Sequence, residues 1–334
     1  MNPASQGDLN PQNDSSEAAT PPNGGIWLQM NFLTLIFQRA FRSVRCLSTR
    51  FHLRVERTLN WHRKKEMQFT ECLENEFTGK VALVLGGSSG IGLGAAELLA
   101  RRGAKVIIIG HDDSVARATA QIASVVNCIE GFQGDASEEA FMRRTIAKVI
   151  SEYGGIDILV NSAAIHPMGD VTETDVAMWD RAIAVNLRSM YLNCHLAIPS
   201  MVKRGGGAII NVASVQATAC TNRVCVYATT KGAIVAFTRT LAVDFAQKGI
   251  RANVVSPGSI ITPMQEYFAN LNRREGQTVE EVYKQFAKPV PLGRLGDVAE
   301  TAELICFLAS PRSGFCNGSE YVVDGGLIAG LRLY

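Results

Sequence analysis

From Val81 onward, short apolar runs alternate with longer stretches in which apolar residues recur every three to four positions. Val81–Leu85, Lys105–Ile109, Ile129–Phe132, Ile158–Asn161, Ala208–Val212, Arg251–Ser256 and Glu320–Val323 read as short strands. Between them, helical patterning covers Ile91–Arg102, Ser114–Val125, Glu138–Tyr153, Trp179–Lys203, Tyr227–Gln247 and Asp297–Ala309. Strands that are apolar throughout, rather than alternating, are buried on both faces, and strands separated by helices pair in parallel. The pattern therefore predicts an α/β fold over residues 77–334, one doubly wound parallel sheet of about seven strands with helices on both faces. A polar interruption over 262–294, with Arg273, Arg274, Lys284 and Lys288, is long enough to expect a functional loop, with a solvated helical hairpin as the plainer reading.

The first 25 residues are rich in Asn, Ser, Pro, Gln and Gly and read as a disordered tail. Ala18–Val55 contains no acid, while Arg39, Arg42, Arg45, Arg50 and Arg54 punctuate an apolar background. This is the composition of an organelle transit peptide, and equally of a surface-lying basic helix or an upstream stretch absent from the mature protein; Met30 and Met67 are both plausible starts. Residues 1–66 are thus set apart as an N-terminal extension, basic from about residue 39, and the expected location is cytoplasmic, or mitochondrial if the segment is a transit peptide. The apolar run Ile26–Phe37 is too short to span a bilayer, so no stable membrane insertion is expected.

Composition narrows the function classes. With 47% hydrophobic residues among 334 there is ample material for a core, and a net charge of +2 makes no case for nucleic acid. None of the 8 cysteines forms a C-x-x-C pair, which points to free thiols in a reducing compartment. The 5 histidines show no metal-ligand spacing, and no metal is expected.

Chemistry enters at the first strand–helix turn. Gly86-Gly87-Ser88-Ser89-Gly90-Ile91-Gly92 combines glycines with a helix N-terminus, whose N–H groups attract a pyrophosphate that bulkier residues would block. At the end of the second strand, an acid would hydrogen-bond the ribose 2′-OH of NAD, and a cation would favour the 2′-phosphate of NADP. The segment Ile109-Gly110-His111-Asp112-Asp113 divides the signal: His111 leans toward NADP, Asp112 is still within reach of a ribose.

Tyr227-Ala228-Thr229-Thr230-Lys231 sets a phenol and an ammonium one helical turn apart. A tyrosine with a pKa of about 10 is a poor base at neutral pH. The neighbouring cation is expected to lower that value and make proton exchange feasible. Ser214 lies just past a strand, upstream of Tyr227.

These landmarks occur in the order found in the short-chain dehydrogenase/reductase family, which the chain resembles from Thr78 to about Gly326, in particular its 3-oxoacyl-(acyl carrier protein) reductases and glucose dehydrogenases. The resemblance rests on the glycine turn, Asn161-Ser162-Ala163-Ala164, Asn186, Ser214, the Tyr227–Lys231 element, Pro257-Gly258-Ser259-Ile260-Ile261-Thr262 and Asp324-Gly325-Gly326. Leu85, Ser162 and Ala164 depart from the usual Thr, Asn and Gly, and a methyl at Ala164 is expected to crowd that turn.

The resemblance implies a Rossmann-type NAD(P)-dependent oxidoreductase that moves a hydride between nicotinamide and a carbonyl or secondary alcohol. It implies that Tyr227 exchanges the proton, Ser214 orients the substrate oxygen, Lys231 holds the nicotinamide ribose and polarises Tyr227, and Asn186 anchors a relay water. Gly86, Ser88, Ser89, Gly90, Ile91 and Gly92 would cradle the cofactor phosphates, and Asp135 and Ala136 would meet the adenine. Asn161 and Ala163 would line the channel, with Pro257, Gly258, Ile260 and Thr262 at the carboxamide. The 262–294 segment would be a lid, and Arg223 and His166 are substrate-contact candidates, Arg223 for a carboxylate. A homo-oligomer, tetramer or dimer, is also implied. Two other functions remain open: a catalytically silent NAD(P)-binding redox sensor, and the same fold used for epimerisation or dehydration.

Overall fold

The computed structural model describes Leu73 and residues 75–126 and 128–330; the extension assigned to residues 1–66 lies outside the described residues. Seven strands form one sheet in the order β3-β2-β1-β4-β5-β6-β7: β1 (Val81–Leu85), β2 (Lys105–Gly110), β3 (Ile129–Gln133), β4 (Ile158–Asn161), β5 (Gly207–Val212), β6 (Ile250–Pro257) and β7 (Glu320–Val323). Every neighbouring pair is parallel. The doubly wound expectation therefore holds, with each strand starting or ending within two residues of the sequence reading.

Two helical layers cover the sheet. Ala82 and Val84 of β1 point to a core shared with α1 (Gly90–Arg101), α2 (Ser114–Ala123) and α9 (Val298–Ala309). Val81, Leu83 and Leu85 point to the other core, with α3 (Glu139–Tyr153), α5 (Ser189–Lys203) and α6 (Cys225–Phe245). All five β1 residues are buried, which is the physical content of a strand with no polar face. Leu85, at the usual threonine position, belongs to the second core.

Charged and polar groups tie the layers where they cannot reach water. The Asp157 carboxylate accepts from Val81 N (2.9 Å) and from Arg204 Nε and Nη2 (3.0 and 2.8 Å), joining the start of β1 to the end of α5. Asn161 Nδ2 donates to Asn211 Oδ1 (2.8 Å), and Asn211 Nδ2 donates to Thr238 Oγ1 (2.9 Å), a buried chain from β4 through β5 to α6.

One helical segment differs from the periodicity, and the polar interruption takes the form of its plainer reading. The expected Trp179–Lys203 helix is α4 (Val176–Ile183), a π-helical turn at Ala184–Arg188, and α5. Its start is fixed by Asp175, whose side chain accepts from Met178 N (2.7 Å). The segment over 262–294 carries two regular helices, α7 (Pro263–Asn272) and α8 (Val279–Ala287), as a helical hairpin would. Thr262 caps α7 with Pro263 in its first turn, and Thr278 with Glu281 forms a capping box on α8. Both signatures are present in the sequence, but charged residues masked the short apolar stripes behind them.

Candidate active site

The strand order reverses between β1 and β4, so the chain leaves their carboxyl ends in opposite directions and opens a crevice there. The crevice is a cavity of about 860 Å³, running from the glycine turn after β1 to Ser214, Tyr227 and the α7–α8 segment.

At one end, α1 begins at Gly90 with Ser89 as N-cap. The Ser89 side chain makes no capping bond and no acid occupies the first turn, so the N–H groups of that turn face the cavity without a competing carboxylate. The glycines here are required by close approach. A Cβ on Gly86, which has φ +67°, would lie 2.7 Å from Ala163 N, and one on Gly92 would overlap the Gly86 carbonyl oxygen. Gly92 shapes the turn without lining the cavity. A Cβ on Gly110, at the end of β2, would lie 2.5 Å from Ser88 Oγ, leaving no room for an acid at that strand end. His111 is exposed beside Asp112, with 3.3 Å between Nε2 and Oδ2. Asp112 also accepts from Ser114 N (3.0 Å) and the Ser114 hydroxyl, and these bonds hold its carboxyl below the usual range. Asp135 accepts from Ser137 N (2.8 Å) and pairs with Arg181 (2.8 Å). Cradle, strand ends and cavity length thus fit an elongated dinucleotide, with phosphates at α1 and adenosine toward Asp112 and Asp135.

At the other end, Tyr227 sits in the first turn of α6 and Lys231 one turn later, both buried. Lys231 Nζ donates to Val212 O (2.9 Å) and lies 5.3 Å from the centre of the Tyr227 ring. The expected depression of the phenol pKa is not found: burial pushes Tyr227 up to about 12, against a hydrogen bond with Ser214 that lowers it. Burial also brings Lys231 down to about 7. In so enclosed a place, desolvation of each charged form outweighs the attraction between them. The Ser214 hydroxyl oxygen in addition accepts from Gln216 N (3.2 Å).

His166 lies on Tyr227, ring centres 3.8 Å apart, and its edge meets Phe268 at 4.6 Å. Burial, aided by the Lys231 charge, lowers its pKa to about 4, so the imidazole is neutral at pH 7. The loop carrying it is held by Asn186 in the π-helical turn. Asn186 Oδ1 accepts from Ile165 N (2.8 Å), and Nδ2 donates to Ile165 O (2.9 Å) and Thr230 Oγ1 (3.1 Å). The Asn186 amide is therefore committed to this loop and to α6, and lies outside the cavity lining.

Most of the residues picked out in the sequence converge here. Gly86, Ser88, Ser89, Gly90, Ile91, His111, Asp135, Ala136, Ala163, His166, Ser214, Tyr227, Lys231, Pro257, Gly258, Ile260 and Thr262 all border the one cavity. Four candidates lie outside the lining: Gly92 and Asn186, as described above, and Asn161 and Arg223. Asn161 does not line it: its amide turns to Asn211 on the adjacent strand, in register with it. Arg223 does not line it either, because its guanidinium pairs with Glu173. Arg223 is also the non-glycine residue with positive φ (62°) among those described, so Ala164 adopts no left-handed backbone and its methyl is accommodated at the cavity wall. Sequence reasoning missed Arg181, Gln216, Phe268, Leu327 and Ile328, which also border the cavity. Signals lay beside two of these: Asp135, the partner of Arg181, and the Asp324-Gly325-Gly326 turn, which delivers Leu327 and Ile328 with Asp324 accepting from Gly326 N (2.8 Å) and Ile328 N (2.9 Å).

Known proteins match this chain over most of its length. The family described as "Enoyl-(Acyl carrier protein) reductase" matches residues 86–328. An uncharacterized oxidoreductase of Thermotoga maritima is 37% identical over 254 residues, covering 76% of this chain and 99% of that protein. The D-beta-hydroxybutyrate dehydrogenase of Cupriavidus necator is 36% identical over 75% of this chain and 98% of its own length. Among solved structures, L-sorbose reductase from Gluconobacter frateurii, complexed with NADPH and L-sorbose, is 30% identical, with a TM-score of 0.74 over 77% of this chain and 100% of that one. The chain belongs to the short-chain dehydrogenase/reductase family of NAD(P)-dependent oxidoreductases.

Proposed function

We propose that this protein interconverts a carbonyl and a secondary alcohol, with Tyr227 exchanging the proton and NADP(H) as the preferred carrier. The observation behind this reading is one cavity that joins the glycine cradle to Ser214 and Tyr227. The nucleotide, when bound, supplies or accepts the hydride. Its phosphates would be held by the N–H groups of Gly90 and Ile91, its adenosine near Asp135 and Ala136, and its nicotinamide end by Pro257, Gly258, Ile260 and Thr262.

Ser214 donates a hydrogen bond to the substrate carbonyl oxygen and orients it. Tyr227, protonated at neutral pH because burial pushes its pKa to about 12, gives its proton to that oxygen. The carbonyl π pair becomes the new O–H bond as the carbon gains hydride. Lys231 stabilises the phenolate left behind, and with a pKa of about 7 it takes up or releases a proton at little cost near neutrality. Asn186 acts on the site through the Ile165–His166 loop it holds. The lean to NADP(H) rests on the missing acid at Gly110 and the exposed His111, and is consistent with NADPH in the sorbose reductase complex.

Tyr227→Phe is expected to lower kcat by about 10²–10⁴-fold while NADPH fluorescence titration gives the wild-type affinity. An unchanged rate would sink the assignment. The same assay with both nucleotides reads the carrier preference, and net nucleotide consumption during turnover separates this reaction from epimerisation or dehydration.

A further inference from the structure

Two polar atoms beside the cavity are buried and have no hydrogen-bond partner: His166 Nε2 and Gln216 Oε1. Protein interiors rarely leave such groups unpaired, and where they face a binding cavity a ligand group is the natural partner. Both flank the proton-exchanging end. His166 stacks on Tyr227 at 3.8 Å, and Gln216 is two residues from Ser214, whose hydroxyl accepts from its N–H (3.2 Å). The other end of the Gln216 amide is engaged, Nε2 donating to Thr221 Oγ1 (3.3 Å), so one amide atom is open whichever way the group is turned. The imidazole is fixed between the Tyr227 face and Phe268, and its orientation is set before any ligand arrives.

The charges on the cavity wall are distributed unevenly. Asp112, Asp135 and Arg181 border it beyond β2 and β3, away from Tyr227, and Arg181 pairs with Asp135. At the Tyr227 end Lys231 supplies the charge, and its Nζ is tied to Val212 O. Arg223, the sequence candidate for a carboxylate, pairs with Glu173 outside the cavity. The groups that await a partner at the reacting end are neutral.

We propose that His166 and Gln216 are specificity-determining residues that read a second, uncharged oxygen of the substrate, next to the reacting carbon. The substrate class is then vicinal hydroxyketones and the corresponding diols, in preference to simple ketones and to keto acids. This deepens the carbonyl–alcohol reading and rests on Tyr227 as the proton-exchanging group. A hydroxyl both donates and accepts, and so serves a neutral imidazole and an amide oxygen at once. A simple ketone leaves both atoms buried and unpaired, and a carboxylate meets at this end only Lys231, which is tied to Val212 O and serves the Tyr227 phenolate.

The test uses the full chain with NADPH and three matched probes: 2-hydroxycyclohexanone, cyclohexanone and 4-oxocyclohexanecarboxylate. For the wild type, kcat/KM for the hydroxyketone is expected to exceed the other two by about 10²-fold. His166→Phe keeps a ring on Tyr227 but removes its nitrogens, and Gln216→Met keeps the chain length but removes the amide. Each should shrink the hydroxyketone-to-ketone ratio at least about tenfold, and His166→Gln, which restores a polar atom, should recover part of it. A wild-type preference for cyclohexanone or the keto acid overturns the proposal. So does a proportional loss on all three probes in both variants, the mark of a structural role. So, too, does an absence of hydroxyketone turnover together with no effect of that probe on the fluorescence of bound NADPH. Failure of the proton-exchange reading is distinguished by full turnover in Tyr227→Phe, whereas a wrong preference with Tyr227-dependent turnover sinks the specificity assignment alone.

Discussion

Lys231 illustrates how burial alters a residue's ordinary chemistry. Its ammonium is enclosed on α6 with one backbone carbonyl as hydrogen-bond acceptor, and burial lowers its pKa from 10.5 to about 7. Between those values the unfolded chain keeps a proton that the folded chain has released. Stability contributed at this position therefore rises with pH above about 7. Above about 9 the buried Cys194 thiol would ionise in the unfolded chain but not in the folded one, which works in the opposite sense, so the clean window is pH 7–9. Lys231→Met is expected to flatten the rise of Tm across that window and to raise Tm at pH 7 by about 2–4 °C, while turnover is lost. A thermal-melt series against pH checks this, and an unchanged pH slope would show that Lys231 is not the titrating group. The Y-x-x-x-K spacing made the pair legible in the sequence. The direction in which each partner's pKa moves was not, because it depends on how completely both side chains are enclosed.

At the scale of elements, the β1–α1 turn and the π-helical turn matter most. Gly92 lies in the first turn of α1 with no space for a methyl beside the Gly86 carbonyl. Gly92→Ala is expected to push that helix end away, costing about 1–3 kcal/mol in chemical denaturation and weakening NADPH binding in the same protein. Wild-type affinity in the variant would mean that the cradle tolerates the shift. The π-helical turn Ala184–Arg188 was not legible, since one extra residue within a turn leaves the helical period nearly intact. The turn matters because it orients Asn186 toward Ile165 and Thr230. Helices α7 and α8 were legible in part: Thr262-Pro263 and Thr278-x-x-Glu281 mark their starts. Their contribution to the cavity, through Phe268 and Phe286, could be seen only once they were folded back over it.

For the molecule as a whole, the seven strands and their two covering layers account for the crevice, because the change of direction between β1 and β4 creates it. The Thermotoga maritima relative matches over 99% of its own length yet covers 76% of this chain, and the family match runs over residues 86–328, which leaves the expected N-terminal extension outside that family match. Deleting residues 1–66 is accordingly expected to leave NADPH binding and turnover within about twofold of wild type. Loss of folding in the truncated protein, read by circular dichroism, would show that the boundary is wrong. Among the described residues, no helix is long and apolar enough to cross a membrane.

The sequence alone determined the strand count, the glycine turn and the order of the polar landmarks, because hydrophobic period and glycine placement are local properties of the chain. Which of the selected polar residues face the crevice was decided by tertiary structure. Asn161 and Arg223 were sound candidates by position, but one is turned to Asn211 across a strand pair and the other is held by Glu173. Conversely, Gln216 and Phe268 carried no local signal, and the stacking of His166 on Tyr227 joins residues 61 positions apart (227 minus 166). Such contacts follow from how strands and helices pack against one another, and no periodicity along the chain encodes them.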